Sequence, residues 1–537
     1  MKSDSKQVQG EKFLGVDIES PDLDNWPGEP PVIADNEITE TVHTEIVIAG
    51  GGHAGLHCSL AAAECGVSVV VIEKRPEKEM TWHGEQIGTF NSKFLTERGF
   101  GGYDEDEIIE EFCKCGNYYV NRALIAKYVH NSGEALDHLL ALVPPDSTLL
   151  DPDQCNVHCA LPGTKYPIIR GGYKTWAGTL QFRGPLITTR GVSYRVNQFS
   201  RLPELLKYAL KESQRLGVDW RFGHRTEVLI TNGSRVIGII AKDADGRYVK
   251  FLASRGTVLT LGNLTYKGHQ LGIWAGGHMD NTPYERVERR VRNPSFAFGA
   301  AGFVQLNNDG KRFYNECVPY GNSYSYQPTG ILSWVSDSNW LEYIKRSGLQ
   351  HFNADFGMPA FIEQCQEDMS HVVESGKDGY EVRNCALTER ETARVYGAET
   401  LEELAVFLGY EGKRKDKFLK SIERYNALCH KKHDDDFGRD VDMLLPIDSP
   451  PFYGGYSINP PCDWKSKPRY AGRLTGLHTD NDMCVVDKDC NPIGGLYAAG
   501  NNMGYLRSVF YATPCGGNAI GMAMTLGRVL GKHLASK

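Results

Sequence analysis

An α/β fold is predicted by three observations. The first is a stretch near the start. An apolar run, Ile46–Ala49, leads straight into Gly50, Gly52 and Gly55. An Ala/Leu-rich helix follows, then a second β-branched run, Val67–Ile72, closed by Glu73. The second observation is a short strand, a Gly-rich loop and a long helix near the end, in GGLYAAGNNMGYLRSVFYATPCGGNAIGMAMTLGRVLGKHLA. The third is the change of texture from about 270 to 450, where helices, loops and aromatics mix with no further strand–helix–strand unit. The order is a first domain, an insertion, and a return to the first domain. This order predicts a Rossmann-like α/β fold in two segments around an inserted α+β domain.

Each part of residues 46–73 has a mechanical reason. The apolar run is too short for anything but a buried strand. Gly50 allows the tight turn, Gly52 lets a pyrophosphate approach the backbone at a helix N-terminus, and Gly55 lets helix and strand pack closely. Glu73 stands about 20 residues on, where a carboxylate accepts bonds from ribose hydroxyls. In this strand–turn–helix–strand–acid context the G-x-G-x-x-G spacing marks a dinucleotide site, lined by Gly50, Gly52, His53, Ala54, Gly55, Glu73 and Lys74.

Residues 1–43 are polar, acidic and Pro-containing and read as an extended lead-in. Helical periodicity is seen in DEDEIIEEFCK and in NRALIAKYVHNSGEALDHLLAL, where Leu124, Tyr128, Ala135 and Leu139 share a face. Residues 151–190 are loop-rich. A helix is expected from about Leu202 to Leu216, then a β-meander with turns at Asn232-Gly233 and Asp245-Gly246, returning to a buried strand, Thr257–Leu261. The helical tract from Leu401 ends in a charged loop, and Asp434–Asp436 is expected to be a solvated turn.

The chain of 537 residues, 41% hydrophobic and 23% charged, is long enough for two or three domains and a large core. Its net charge of −8 and lack of a long basic run argue against a nucleic-acid partner. No apolar stretch reaches the roughly 18 residues of a membrane span. The start, MKSDSKQVQGEKF, has no apolar export core, so the expected location is cytoplasmic, with an already trimmed signal left open. The fourteen cysteines lack metal-ligand spacing and read as reduced, mostly buried thiols, with no metal expected.

Five stretches in one order carry a resemblance: IVIAGGGHAGL…VVVIEK, NNDGKRFYNE (307–316), LEELA…RYN…DFGR…PPFY (401–453), GGLYAAGN (494–501) and GGNAIGMAMTLGR (516–528). Together they resemble the fumarate reductase/succinate dehydrogenase-like FAD flavoproteins, nearest the soluble branch with the 3-ketosteroid dehydrogenases. The resemblance implies FAD rather than NAD. It implies an FAD-binding domain over 44–270 and 450–537 and a capping domain over 271–449. By position, Glu73 would hold the adenosine ribose and Val228 would lie near the adenine. Gly500, Asn501, Gly517, Asn518, Ala519 and Ile520 would sit under the flavin ring. The last helix would point its N-terminus at the ring's N1/O2 edge, where reduced flavin is anionic and a helix N-terminus is stabilising.

Departures from the family pattern narrow the chemistry. The family's A-T-G-G tract reads Thr260-Leu261-Gly262-Asn263. In the dicarboxylate reductases an Arg stands four residues after the Asn-Glu of R-F-x-N-E; here that position is Tyr320. Their substrate-clamping Arg before G-G-N-A is replaced by Thr513-Pro514-Cys515, and TGLHTD (475–480) only loosely matches their His-Thr. Tyr320 is instead similar to the acid/base tyrosine of the ketosteroid branch, and Tyr511 to its ketone-binding tyrosine. In that resemblance a backbone N–H near Cys515–Gly516 would be the other carbonyl donor. Arg507 could supply a cation from the same loop, but a surface position is expected for it. His83 lies near where succinate dehydrogenases attach FAD, but the spacing is off and an ordinary loop histidine is expected.

A C=C bond accepts hydride only where a neighbouring carbonyl drains charge, so the reaction needs a carbonyl donor and a proton source. Tyr511 with Gly516, and Tyr320, meet that list. A phenol of ordinary pKa near 10 needs help from a neighbour to act as a base. Trp334, Tyr324, Tyr326 and Phe313 could stack a polycyclic substrate or could equally be core. The expectation is an FAD-dependent oxidoreductase that reduces an enone, lactone, steroid- or polyphenol-like ketone, or desaturates its saturated counterpart. The alternatives are a fumarate reductase-like reductase of an unsaturated carboxylate and a flavin electron-transfer subunit without its own substrate. With one dinucleotide fingerprint and no haem motif, electrons are expected from a partner protein, a quinone-like mediator or reduced flavin.

Overall fold

The computed structural model describes residues 27–152, 154–182, 200–262, 267–280, 302–318, 327–347, 349, 356–357, 359–383, 392–459, 475–507 and 514–537, with short strand segments at 11–13, 16–18, 186–189, 192–195, 286–289 and 469–473. The chain opens its main sheet with β1 (Ile38–Ala49), α1 (His53–Glu64) and β2 (Val69–Glu73). β3 (Gln86–Gly88), α2 (Glu105–Cys115), α3 (Arg122–Leu140), β4 (Cys155–His158) and β5 (Thr179–Phe182) follow. Then come α4 (Leu202–Arg215), β6 (Asp219–Phe222), β7 (Arg225–Asn232), β8 (Arg235–Lys242) and β9 (Tyr248–Leu259). The strand order is β6–β2–β1–β9–β8–β7. β1 runs parallel to β2 and β9, with Ile46 opposite Val69 and Val258 opposite Ile48. Ile46–Ala49 and Val69–Glu73 are buried throughout, as parallel strands covered on both faces require.

β1 is longer than its apolar run. Ile38–Thr41 pair alongside Tyr248–Lys250, so the strand begins inside the stretch expected as a lead-in. Its first half, ITETVHT, is held by backbone pairing and largely unburied, and gives no hydrophobic signal. The 151–190 stretch also holds more order than its composition suggests: β5 pairs with β3 on one side and β4 on the other in a three-stranded antiparallel sheet.

A second, five-stranded antiparallel sheet comprises β10 (Val304–Leu306), β11 (Gly330–Ser336), β12 (Tyr380–Arg383), β13 (Thr392–Ala398) and β14 (Phe452–Asn459), in the order β10–β11–β14–β13–β12. Helices α5 (Leu401–Phe407) and α6 (Lys413–Lys431) pack on it. Trp334 lies in its core with its ring 4.9 Å from that of Phe303, so it is a packing residue.

The charged loop after α6 departs from expectation. Asp434 is buried and not solvated: its carboxylate meets the Arg312 guanidinium at 3.0 Å and accepts backbone N–H bonds from Asp436 and Arg439. Arg312 also pairs with Glu316 at 2.9 Å, and Arg439 reaches Glu316 at 3.1 Å while donating to the Gly302 carbonyl. Tyr343 and Tyr425 flank Arg439, its guanidinium 5.7 and 5.4 Å from their ring centres. Burial alone would raise the Glu316 pKa. The two guanidinium groups outweigh burial and hold it below the ordinary carboxylate range.

The chain then returns to the first sheet through β15 (Cys484–Val486) and β16 (Pro492–Ala498) and ends in α7 (Asn518–Ala535). β16 lies parallel to β9, with Val258 opposite Tyr497. α7 crosses α1 closely: a Cβ at Gly527 would lie 2.4 Å from the Ala54 carbonyl oxygen, and one at Gly531 2.3 Å from that of Cys58. Arg528 ties the packing together through Glu64 on α1 and Glu134 on α3, at 2.8 and 3.0 Å.

Candidate active site

Two helix N-termini converge at the carboxyl ends of the parallel strands. The first belongs to α1. Gly50 takes φ +101°, donates to the Ile72 carbonyl at 2.8 Å, and leaves no room for a side chain, since a Cβ would lie 2.6 Å from the Thr260 carbonyl oxygen. A Cβ at Gly55 would sit 2.0 Å from the Gly50 carbonyl oxygen and 2.8 Å from the Thr260 hydroxyl. Gly52 differs: no protein atom comes within 3.9 Å of a Cβ built there. Nothing in the protein demands a glycine at 52, so the space in front of it fits a ligand. Gly52 caps α1 without a side chain, leaving the first-turn N–H groups to whatever binds.

Glu73, buried at the end of β2, accepts from the Gly51 N–H at 2.9 Å and the Arg75 N–H at 3.0 Å. One oxygen holds the glycine turn and the other the chain beyond it, and a carboxylate keeps lone pairs for a ribose hydroxyl. Trp82 donates to the Gly51 carbonyl at 3.1 Å, and the Trp220 ring closes the other side of that residue. Lys74 is exposed. His224 donates its N–H to the Glu73 carbonyl at 3.0 Å, which brings the start of β7 and buried Val228 toward this end of the site.

His53, the first residue of α1, places Nε2 3.0 Å from the His83 carbonyl oxygen. Burial pushes its pKa down to about 4, so near neutral pH the ring is uncharged and Nε2 must carry the proton that the carbonyl accepts. His53 thus adds no positive charge to the phosphate turn. It ties the turn to the 83–84 segment.

The second N-terminus is that of α7. Gly517 is its left-handed cap, at φ +70°, again without a side-chain cap. β3 crosses directly over it: Gly88 donates to the Gly517 carbonyl at 3.0 Å, and a Cβ at Gly521 would lie 1.8 Å from the Gly88 carbonyl oxygen. From β5, the Thr179 hydroxyl donates to the Gly516 carbonyl at 2.8 Å. Gly500 approaches Ala54, where a Cβ would come within 3.0 Å of the Ala54 methyl. Asn501 is exposed, whereas Asn502 turns inward and donates to the Gly262 carbonyl at 3.0 Å. The structure therefore brings Gly50–Gly55, Glu73, Gly500 and Gly516–Asn518 to one end of the sheet.

Arg507 is buried, with 8% of its surface exposed, and does not take the surface position expected of it. Tyr320 and Tyr511, along with Tyr324 and Tyr326, lie outside the described residues. Thr260, Trp220, Gln86 and Thr179 pack against these glycine turns, which no motif in the sequence foretold. Their placement follows from strand register, which no local motif carries. Among the described residues no group of three or more His, Cys, Asp or Glu side chains could hold a metal ion. Among the same residues no helix is long and apolar enough to cross a membrane.

Known proteins share this architecture. A vinyl phenol reductase of Lactiplantibacillus plantarum is 25% identical over 273 residues, 50% of this chain and 50% of that protein. The NADH:acrylate oxidoreductase of Vibrio harveyi is 24% identical over 562 residues, 92% of this chain and 50% of that protein. The chain spans about half the length of these curated relatives. The structure of 3-ketosteroid-delta4-(5alpha)-dehydrogenase from Rhodococcus jostii RHA1 is similar in fold. Its TM-score is 0.61 at 19% identity, covering 94% of this chain and 99% of that one. The model of the FAD binding domain family matches residues 45–287 and 267–520, most of the chain on both sides of and through the inserted sheet, and the chain belongs to that family.

Proposed function

We propose that the chain is an FAD-dependent oxidoreductase that moves hydride between flavin N5 and a C–C bond conjugated to a carbonyl, in an enone, lactone, or steroid- or polyphenol-like ketone. The observation that carries this reading is the N-terminus of α7 at Gly517, left without a side-chain cap and crossed by β3, on a helix that packs along α1 from its phosphate turn. A helix N-terminus there stabilises the negative charge of a reduced ring. The relatives support the reaction class, since a vinyl phenol reductase and an acrylate oxidoreductase both act on conjugated C=C bonds. In this reading 44–270 and 450–537 carry the cofactor and 271–449 caps it, in a cytoplasmic protein. Gly50, Gly52, His53, Ala54 and Gly55 hold the pyrophosphate. Glu73, Lys74 and Val228 flank the adenosine. Gly500, Asn501, Gly517, Asn518, Ala519 and Ile520 lie under the ring.

FAD, when bound, supplies the hydride exchange at N5. The chain's own groups do the rest. The Gly516 N–H and the Tyr511 hydroxyl donate to the substrate carbonyl as negative charge develops on its oxygen, and Tyr320 delivers or takes the proton at the neighbouring carbon. Electrons come from a partner protein, a quinone-like mediator or reduced flavin. A second reading, a reductase of unsaturated carboxylates, is favoured by the burial of Arg507, a cation in the loop that leads to Gly516.

The discriminating experiment is anaerobic reoxidation of dithionite-reduced enzyme by a panel of enones, acrylates and unsaturated lactones, with the reverse reaction followed by a dye acceptor. Enones and lactones are expected to reoxidise the enzyme at least about tenfold faster than fumarate or acrylate. Comparable rates would establish the carboxylate reading. A second expected result concerns the adenosine end. Glu73→Ala removes the acceptor of two backbone N–H bonds together with the ribose contact, and is expected to weaken FAD binding by roughly tenfold or more in fluorescence titration.

A further inference from the structure

We propose that His278 and His478 form a proton-sensitive latch on the segment Tyr505–Arg507. While the two rings are joined the segment is held and Arg507 stays buried; with both rings charged the segment is released. The bearing on catalysis rests on the placement of Arg507 near the reacting end given above.

The chain leaves for the inserted sheet and comes back from it along one ribbon. Arg286–Arg289 pairs antiparallel with Arg469–Arg473, and Met279 bridges Leu477 nearer the first sheet. His278 and His478 stand side by side at the foot of this ribbon, where the His478 N–H donates to the His278 carbonyl at 2.9 Å. Their rings also meet, edge to face with centres 4.9 Å apart, and Nδ1 of His478 lies 3.2 Å from Nε2 of His278. The returning strand then pairs with the chain past Gly500: Leu477 donates to the Asn502 carbonyl and Gly504 to the Leu477 carbonyl, both at 2.8 Å.

Tyr505 follows directly. Its backbone is left-handed, at φ +54°, a conformation that an aromatic residue keeps only where its surroundings impose it. Three segments impose it here. The Tyr505 N–H donates to Oδ2 of Asp280 at 2.8 Å, its carbonyl accepts from the Asn121 N–H at 2.7 Å, and its ring lies edge to face on His478 with centres 4.8 Å apart. Asp280 and His278 belong to the outgoing arm of the ribbon and His478 to the returning arm. Buried Arg507 comes two residues later.

The protons of the pair follow from its neighbours. Nδ1 of His278 is 3.3 Å from the Val486 carbonyl oxygen, which can only accept, so Nδ1 carries the proton and Nε2 is the acceptor. His478 therefore donates from Nδ1, and its own Nε2 takes no part in the pair. One added proton goes to that Nε2 with the bond kept. A second can go only to Nε2 of His278, which destroys the acceptor and sets two like charges side by side. Asp480 beside His478 and Asp487 beside His278 favour the first proton. Asp280 is engaged by Tyr505, and Lys127, on α3, by Asp482 at 2.8 Å. Burial, and then the His278 ring, hold the His478 pKa below its ordinary value. A group so depressed lends its hold above the ordinary histidine value of about 6.5 and loses it as pH falls through the folded value. The latch is therefore closed at neutral pH and opens in mild acid.

The test is amide hydrogen exchange of the holoenzyme, read by mass spectrometry in peptides spanning Met503–Arg507 and corrected for the intrinsic effect of pH. Native protein is expected to lose protection there by at least about tenfold between pH 7.5 and pH 5.0. His278→Gln, which can place an acceptor oxygen where Nε2 stood and takes no proton, is expected to keep native protection at both pH values. His278→Leu, which has no acceptor, is expected to show the low protection already at pH 7.5. Native protection that does not change with pH overturns the proposal, even if no variant folds. So does a His278→Gln protein that loses protection with pH as the native one does. With reduced enzyme reoxidised by an enone or by acrylate, the native KM is expected to rise over the same range and that of His278→Gln to stay level. Failure of the C=C reading would leave no such KM to follow and would leave the exchange results unchanged.

Discussion

Gly52→Val is expected to give a protein that folds and melts like the native apoprotein but purifies colourless. The reason is the asymmetry among the three glycines of the turn. Gly52 has φ −66° and ψ −170°, backbone that any L-residue adopts, and no protein atom lies near its absent side chain. A Cβ there meets no protein atom closer than the Thr260 carbonyl oxygen at 3.9 Å, so the isopropyl group would intrude chiefly on the space in which the proposed pyrophosphate lies. The loss in FAD affinity is expected to be roughly a hundredfold or more, because close approach to the α1 N-terminus is what the site supplies. Gly55→Val is the contrast. Its side chain would collide with the Gly50 carbonyl and Thr260, so it lowers the melting temperature of the apoprotein as well as FAD retention. Absorbance near 450 nm against 280 nm, with apoprotein melting curves, separates the two. A Gly52→Val protein that keeps its flavin would remove the phosphate site from this turn.

Arg439→Met is expected to destabilise the five-stranded sheet unit by about 3–5 kcal/mol, the usual cost of leaving a buried carboxylate short of a partner. Arg439 and Glu316 have no exposed side-chain surface, and each bonds the other. The double variant Arg439→Met/Glu316→Leu is expected to recover part of the loss, since it removes the stranded charge as well. The pH dependence has a definite sign. Glu316 and Asp434 both have folded pKa values held below their ordinary ones, against burial, by the neighbouring guanidinium groups. Their contribution to stability is therefore fully present above the ordinary carboxylate pKa and is lost as pH falls through the folded values. Native protein should hold a flat melting temperature above about pH 5 and lose it progressively below. In Arg439→Met, Glu316 is less depressed and the decline should begin at higher pH. Equal acid profiles for the two proteins would show that this network does not set acid stability.

The legible parts of the molecule were those in which a local pattern and its tertiary use coincide. Ile46–Glu73 reads as strand, turn, helix and strand because glycine spacing, burial and helix capping all act within a few residues. The α7 segment reads for the same reason. The five-stranded sheet was not legible as a sheet. Its strands are short, partly polar and far apart in sequence, so pairings such as Trp334 with Gly455 leave no periodic trace. Asp434 was misread because a run of three aspartates looks alike whether it faces water or a buried guanidinium. The two carboxylates beside it do face outward, so the composition was right about the run and wrong about its first member. Arg507 failed in the same way. The packing of Gln86 on the α7 cap carried no signal either, because it is decided by register with Gln181.

The parallel pairing of β9 with β16 sets an order of events during synthesis. Both helix N-termini of the site sit on this sheet, one after β1 and the other after β16, and the entire five-stranded unit is translated between them. A nascent chain that has completed β1, β2 and β9 already owns the phosphate turn but has no second wall for the ring. The inserted unit is then made, and folds, while the domain it interrupts is still open. In the proposed placement, FAD meeting the ribosome-bound chain would engage only through its adenosine half. In that placement the ring side of the site is complete only once β16 and the start of α7 have been made.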